Sequence, residues 1–156
     1  MSVQAVLDSR EIALPDAAAT LALGARLAAH LRPGDVVCLR GELGAGKTTL
    51  ARGAIQTWTG EAQEAPSPTY TLVQIYEGPK GQLWHVDLYR LESAEEAVEL
   101  GLEDGFASAA CLIEWPERMG DLLAPNRLDI ALVSEGEGRR AILTGRGPWG
   151  ARVGSI

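Results

Sequence analysis

The stretch GELGAGKTTL, residues 41–50, decides the fold of this 156-residue chain. It fits the pattern G-x-x-x-x-G-K-[ST] in full, and it contains Lys47, one of only two lysines in the sequence. Glycines at these spacings let the backbone close into a cup whose N–H groups point at phosphate oxygens. Lys47 adds a positive charge for the β- and γ-phosphates, and the Thr48 hydroxyl is a ligand for Mg²⁺. The motif therefore predicts a nucleoside triphosphate site.

The segments on either side of this turn are those that the motif requires. DVVCLR (35–40) is a nearly continuous apolar run, typical of a strand buried on both faces of a parallel sheet. KTTLARGAIQTWTG (47–60) has helical spacing. No guanine-selecting N-K-x-D motif occurs, so adenine is the expected base. The residues expected to contact the nucleotide here are Glu42, Leu43, Gly44, Ala45, Gly46, Lys47, Thr48 and Thr49.

The remaining segments predict a single α/β domain, residues 1–156, with a small mixed sheet. Segments 71–78 and 82–91 have strand patterns, and the short gap between them permits only a hairpin, because parallel strands need a crossover of about a dozen residues. The glycine-rich tail, residues 146–156, is expected to be loosely held. The other predicted elements are strands at 3–7, 110–115, 127–133 and 139–145, and helices at 14–34, starting at Pro15 or Asp16, and at 94–102.

Composition and charge restrict the class of protein. No apolar stretch reaches the roughly 20 residues of a membrane-spanning helix, and the first residues lack the pattern of a signal peptide. Cys38 and Cys111 lie in apolar runs, which indicates buried thiols in a reducing cytoplasm. The net charge of −7 argues against DNA or RNA as a direct partner, although the twelve arginines leave room for a local basic patch.

Two acidic residues are candidates for a magnesium site. Asp87 follows the apolar LWHV and Glu114 follows ACLI, at positions where an unpaired carboxylate is costly to bury and a metal ion offsets that cost. The alternative is that one of them pairs with Arg90 or Arg118. His85 lies two residues before Asp87 and so on the same side of a strand, where it is either a hydrogen-bond partner of the acid or of a water, or a core histidine.

The loop PSPTY, residues 66–70, is a third candidate part of the site. Its two prolines stiffen the loop, and Thr69 is placed to bring a hydroxyl to the γ-phosphate or Mg²⁺, as in switch-type nucleotidases. The same residues also fit an ordinary turn. The catalytic candidates are therefore Lys47, Asp87 and Thr69, and either Asp87 or Glu114 orients the attacking water.

Several segments together resemble one family. They are PDAAATLALG (15–24), GELGAGKTTLARG (41–53), SPTYTLVQIY (67–76), HVDLYRL (85–91) and LIEWPER (112–118). This order is the one seen in the TsaE (YjeE) family, the bacterial ATPase component of the machinery that makes threonylcarbamoyladenosine in tRNA. HVDLYRL and IEWPE are far more specific than the phosphate-binding turn, which many families share.

The resemblance implies a small three-layer α/β P-loop fold, Mg²⁺-dependent binding and slow hydrolysis of ATP, and action with a TsaD–TsaB pair that carries the chemistry on tRNA. It implies that Thr48 and Glu114 ligate Mg²⁺ and that Asp87 serves the attacking water or the outer metal shell. It also implies that Trp115 lies near the site, with a role in partner contact, and that Thr20 approaches the adenine. Contact with tRNA is then indirect, and no membrane or DNA is involved.

Two other functions stay open at the level of the residues. One is a small-molecule kinase in which Asp87 acts as the base toward a bound hydroxyl. The other is a binding module that holds ATP without turnover. The chain has little room for a lid or a second-substrate domain, which favours a conformational ATPase that is slow alone and faster with its partners.

Overall fold

A computed structural model describes residues 8–42, 44–60 and 72–156 of the chain. The strands in these ranges are β1 Asp8–Leu14, β2 Val36–Arg40, β3 Val73–Gly78, β4 Gly81–Asp87, β5 Ala110–Glu114, β6 Arg127–Glu135 and β7 Gly138–Arg146. They form one sheet in the order β1-β7-β6-β2-β5-β4-β3. β2 runs parallel to β5 and β6, and β4 runs parallel to β5, whereas β3–β4, β6–β7 and β1–β7 are antiparallel. The prediction of a mixed sheet is confirmed.

Helices pack on both faces of this sheet. They are α1 Ala17–His30, α2 Lys47–Thr59, α3 Ala94–Glu99 and α4 Leu102–Ser108, with 3-10 segments at Pro116–Leu122, Gly147–Ala151 and Val153–Ser155. Helices α1 and α2 cover one face and form the larger hydrophobic cluster with it. α3, α4 and segment 116–122 contribute to the second cluster, on the other face of β2, β4 and β5. Within the described ranges, no helix is both long and apolar enough to cross a bilayer.

The strand and helix predictions hold with shifted ends. The Asp16 carboxylate accepts the Ala19 N–H at 2.8 Å and so caps α1 where a helix start was predicted. Strand β4 ends at Asp87, not at residue 91, because the Asp87 carboxylate accepts the Tyr89 N–H at 3.0 Å and the chain turns there. Strand β1 forms one edge of the sheet, and the strand predicted at 3–7 lies outside the described residues. Helix α4 was not predicted.

The prediction of a loosely held tail at 146–156 is wrong. Trp149, Val153 and Ile156 are buried in the larger cluster. The Arg152 guanidinium lies 3.8 Å from the centre of the Trp149 ring and donates to the Asp35 carboxylate at 2.7 Å. The glycines in this segment favoured a loose tail, but its few apolar side chains are spaced so that each turn returns one of them to the core.

Candidate functional site

The glycine turn connects the end of β2 to the start of α2. Gly44 and Gly46 have φ values of 79° and 103°, in the left-handed region that glycine adopts without strain. Gly46 is the N-cap of α2 and supplies no side chain to bond the first N–H groups of the helix. Those N–H groups and the positive end of the helix dipole are therefore available to an anion.

A cleft of about 260 Å³ opens over this turn. Lys47 and Thr48 line it from α2, and Asp87 and Glu114 line it from the carboxyl ends of β4 and β5. The two acids are register neighbours in the parallel β4–β5 pair, so both lie at the same edge of the sheet. The aromatic rings of Tyr89 and Trp115 complete the wall. Residues from three separate segments of the sequence thus meet in one place.

Glu114 is held between two polar side chains. Its Oε1 accepts from Thr48 Oγ1 at 3.4 Å, and its Oε2 lies 2.7 Å from Nε2 of His85. Glu114 is only 3% exposed and His85 is fully buried. His85 Nδ1 is buried and has no hydrogen-bond partner among the described residues. The sequence placed His85 on the side of Asp87, but the acid that it contacts is Glu114, on the neighbouring strand.

The oxygen atoms of Thr48 and Glu114 fit a magnesium ion. Both are hard donors, and they lie beside the turn that is suited to phosphate. In the described part of the chain no group of three or more His, Cys, Asp and Glu side chains could hold a metal. Mg²⁺ does not require such a group, because it is usually held by one or two protein oxygens together with phosphate oxygens and waters.

Lys47 is folded back onto its own turn. Its Nζ donates to the carbonyl of Gly41 and, at 3.4 Å, to that of Glu42, and it lies 3.8 Å from the centre of the Trp115 ring. Burial lowers the pKa of Lys47, and the nearby carboxylates oppose that shift. Trp115 has a left-handed backbone, with φ of 59°, and its ring packs against Tyr89 with the centroids 4.9 Å apart. The ammonium group is therefore already desolvated in the cleft.

A second cleft, of about 220 Å³, shares Gly44, Gly46 and Thr49 with the first. Thr20 lines it, beside the start of α1, and Arg139 closes it from β7. Arg139 Nη2 donates to the Gly44 carbonyl at 3.1 Å, and its Nε donates to that of Ala45 at 3.2 Å. Sequence reasoning missed Arg139, because nothing in a strand near the end of the chain indicates contact with a turn more than 90 residues earlier.

Two of the predicted site residues, Leu43 and Thr69, lie outside the described residues, together with the rest of loop 66–70. The alternative in which an acid pairs with Arg90 or Arg118 does not hold for Glu114, whose partners are Thr48 and His85. The Arg118 side chain donates instead to the Leu91 carbonyl at 3.4 Å.

Comparisons with known proteins agree with one another. The family model of the threonylcarbamoyl adenosine biosynthesis protein TsaE matches residues 14–142. The tRNA threonylcarbamoyladenosine biosynthesis protein TsaE of Rickettsia prowazekii is 43% identical over 105 residues, which cover 67% of this chain and 73% of that protein. The Bacillus subtilis protein of the same name is 37% identical over 124 residues, 79% of this chain and 77% of that one. The crystal structure of Bacillus subtilis YdiB is similar with a TM-score of 0.75 at 28% identity, over 97% of this chain and 94% of that one.

Proposed function

The chain belongs to the TsaE family of tRNA threonylcarbamoyladenosine biosynthesis proteins, and we propose that it is a weak, Mg²⁺-dependent ATPase of this pathway. It acts in the cytoplasm with the proteins TsaD and TsaB, and it reaches tRNA only through them. Binding and hydrolysis of ATP change its conformation, and the change alters the surface that it offers to these partners.

The observation that carries this proposal is the meeting of Lys47, Thr48 and Glu114 at the start of α2. Each is buried or half-buried, and all three line one cleft. An ammonium group, a hydroxyl group and a carboxylate beside uncapped helix N–H groups are the set that a triphosphate and its metal require. A small neutral ligand would not pair with these charged groups.

Each residue has a role that follows from its position in the cleft. The N–H groups of the turn and of the first turn of α2 bind the phosphate oxygens. Lys47 leaves the Gly41 carbonyl and moves to the β- and γ-phosphates. Thr48 and Glu114 hold Mg²⁺, which when bound neutralises charge on the phosphate oxygens. Asp87, at the carboxyl end of β4, orients the attacking water. The Thr69 hydroxyl contacts the γ-phosphate.

The second cleft suits the nucleoside. It joins the first at Gly44, Gly46 and Thr49, so a nucleotide whose phosphates occupy the first cleft extends naturally into it. Thr20 lines one side of this cleft, and the planar guanidinium of Arg139 lies on the other. We assign the adenine to this position, and the hydrogen bonds from Arg139 keep the turn in the shape that both halves need.

The decisive experiment compares the two lysines of the chain. Lys47→Ala is expected to weaken ATP binding by at least about tenfold, since hydrogen bonds to charged groups contribute roughly 1.5–3 kcal/mol. Lys80→Ala is the matched control, because Lys80 lies on the β3–β4 turn and donates to carbonyls at the end of α1, away from the cleft. Calorimetry with ATP and Mg²⁺ measures binding. Equal affinity in wild type and Lys47→Ala would contradict the site.

Phosphate release, followed with and without TsaD and TsaB, tests whether these partners stimulate ATP hydrolysis. We expect slow release by the chain alone and faster release in the complex. Tight binding of ATP without any release, even with the partners, would favour the binding module. ADP formation that depends on a metabolite, with a phosphorylated product, would favour the small-molecule kinase.

A further inference from the structure

Three arginines, on the inner strands β2, β6 and β7, converge on one buried carboxylate. Asp129 is 6% exposed and receives hydrogen bonds from Arg127 Nε at 3.1 Å, Arg40 Nη2 at 3.2 Å and Arg146 Nε at 2.7 Å. Burial alone would raise the pKa of the Asp129 carboxyl, but the hydrogen bonds and charges of the arginines outweigh it and lower that pKa. We call Arg40, Arg127 and Arg146 the arginine triad.

The triad carries more positive charge than its neighbours balance. Among the described residues, Glu117 is the second acid in contact with the triad, at 3.9 Å from Arg40 Nη1, and its side chain is half exposed. Three guanidinium groups thus face two carboxylates. The side chain of Arg146 is 41% exposed, and neither of its Nη atoms makes a hydrogen bond to any residue that the structure describes. In a chain with a net charge of −7, this is a local site for an anionic group.

The triad borders a half of the sheet that has no second layer among the described residues. On one face, β6 and β7 are packed under α1 and α2 through alternate residues. On the other face, the cluster built by α3, α4 and segment 116–122 includes no residue of β1, β6 or β7. Val133 is 41% exposed there. We call this open face the β1–β7–β6 face. Its small or apolar members, none of which belongs to either cluster, are Ala13, Ala131, Val133, Ile142 and Thr144. Arg140 lies between Ala13 and Val133 on the same face and pairs with Glu11 and Glu135.

We propose that the β1–β7–β6 face is a docking surface for a partner protein and that the arginine triad receives an aspartate or glutamate side chain of that partner. A planar guanidinium with free Nη donors binds a carboxylate in a bidentate manner, and apolar side chains next to arginines and a polar rim are common in protein interfaces. The proposal rests on the proposed function, because the partners used to test it are TsaD and TsaB.

Charge around the triad favours protein over RNA as the occupant. A nucleic acid backbone presents a regular row of phosphates and needs a basic track of matching length. Here the excess charge is confined to one cluster, and Glu11, Glu117 and Glu135 lie around the same face. Phosphates beyond the first would meet these acids, whereas a single carboxylate side chain meets only the triad.

A charge swap at Val133 tests the face. Val133 points to solvent, so Val133→Glu and Val133→Lys should both fold, and their thermal unfolding is measured first. Binding of TsaD–TsaB to the full chain is then measured by biolayer interferometry. We expect Val133→Glu to weaken binding at least about tenfold, because like charges repel across an interface, and Val133→Lys to be clearly less affected. Val98→Glu on α3, at a similarly exposed valine on another surface, is the matched control and should bind as wild type does.

Arg146→Gln tests the anchor, with Arg26→Gln on the exposed side of α1 as its control. We expect a roughly threefold to tenfold loss of affinity for Arg146→Gln that shrinks as salt is raised from 50 to 300 mM, since an exposed charge pair is screened. Affinity for ATP should be unchanged in all five variants, because none contacts the two clefts.

Each result has a distinct meaning. If wild type binds TsaD–TsaB and all the variants bind equally well, the docking surface is wrong and the proposed function is untouched. If wild type binds neither TsaD nor TsaB, both the docking surface and the proposed function are contradicted. Direct binding of tRNA by the chain alone, weakened by Arg146→Gln, would show RNA in place of protein on this face and would overturn the docking proposal.

Discussion

His85 and Glu114 form a buried hydrogen-bonded pair, with His85 Nε2 and Glu114 Oε2 separated by 2.7 Å across the parallel strands β4 and β5. The other carboxylate oxygen of Glu114 faces the Thr48 hydroxyl at 3.4 Å. His85 therefore fixes the position of Oε2, while Oε1 points to the position where a metal would lie. Partners that orient a metal ligand by a hydrogen bond affect metal affinity, and their loss typically weakens it by roughly 10- to 100-fold.

Loss of this hydrogen bond is expected to weaken the response to magnesium. In His85→Leu the Glu114 carboxylate loses its fixed orientation, so the Mg²⁺ concentration for half-maximal ATP binding should rise by about tenfold or more. A magnesium titration at constant ATP, followed by calorimetry, measures it. His30→Leu is the matched control, since His30 is the other histidine and lies exposed at the end of α1. For His85→Gln, which keeps a hydrogen-bond donor, this Mg²⁺ concentration should lie between the values for wild type and His85→Leu. A folded His85→Leu protein with the wild-type magnesium response would contradict the prediction.

Substitutions of Glu114 and Asp87 should have different kinetic effects, although the two residues are neighbours in register. Glu114→Gln removes a charge that faces the Thr48 hydroxyl, and we expect mainly weaker magnesium and nucleotide binding. Asp87→Asn should leave binding within about threefold and slow phosphate release by roughly 10²-fold or more, as loss of a group that positions the attacking water does. Single-turnover phosphate release, measured beside nucleotide affinity, separates binding from chemistry. The reverse pattern would exchange the two roles.

The sequence predicted the elements around the turn well, because local spacing determines them. The turn at 41–48, the strand before it and the helix after it follow from residue spacing, and the two acids follow from the cost of burying a carboxylate at the end of an apolar strand. Strand β4 was predicted to end four residues too late, because residues 88–91 continue a strand-like pattern. The chain turns there through hydrogen bonds from the Tyr89 N–H to the Asp87 carboxylate and from the Leu91 N–H to the Leu88 carbonyl.

The rest depends on contacts between distant segments. Arg139 reaches the turn from β7, and Glu114 is the partner of His85 because β5 lies beside β4; neither fact is encoded locally. The arginine triad unites residues from β2, β6 and β7 that no motif connects. Trp149 likewise reaches the core only because the sheet order brings β7 beside β6 and β1. Strand order is set by tertiary packing, so these features appear only with the fold.

Two glycines set the distance between α1 and α2, and adding a methyl group to either should be costly. A Cβ at Gly24 would lie 2.0 Å from the Leu50 carbonyl oxygen, and one at Gly53 would lie 2.1 Å from that of Leu21. We expect Gly24→Ala to lower the free energy of unfolding by about 2–3 kcal/mol, as overpacking against backbone does. Gly154→Ala is the control, because its Cβ would meet nothing within 4 Å. Urea unfolding measures both, and equal stability would contradict the close packing.

Both cysteines should be inert while the chain is folded. Cys38 and Cys111 are buried and unpaired, and burial raises the pKa of each thiol to about 12. At pH 8 almost no thiolate is present, and reagent access is blocked as well. We expect a thiol reagent to label neither residue in native buffer and both in denaturant. Mass spectrometry after timed labelling measures it; fast labelling of either residue at a rate independent of denaturant would contradict the prediction.

The pH dependence of stability should report on Asp129. Because the arginine triad lowers the pKa of this carboxyl in the folded state, the unfolded chain binds the proton first as the pH falls below about 4. The contribution of Asp129 is therefore complete at neutral pH, where its carboxylate is charged in both states, and is lost as the pH falls from the unfolded pKa through the lower folded one. Asp129→Asn should be destabilised by about 1–3 kcal/mol at pH 7, since it leaves three arginines facing one another. It should also lose less stability than wild type between pH 5 and pH 3.

Urea unfolding at a series of pH values measures both effects. Asp121→Asn is the control, at an exposed aspartate that makes no ion pair with the residues described, and it should follow the wild-type curve. A parallel loss of stability in wild type and Asp129→Asn would mean that the acid sensitivity arises from other carboxylates. In that case the arginines would not hold Asp129 in its charged form as the geometry indicates, because a carboxylate with three guanidinium partners must release its proton at a lower pH than a free one.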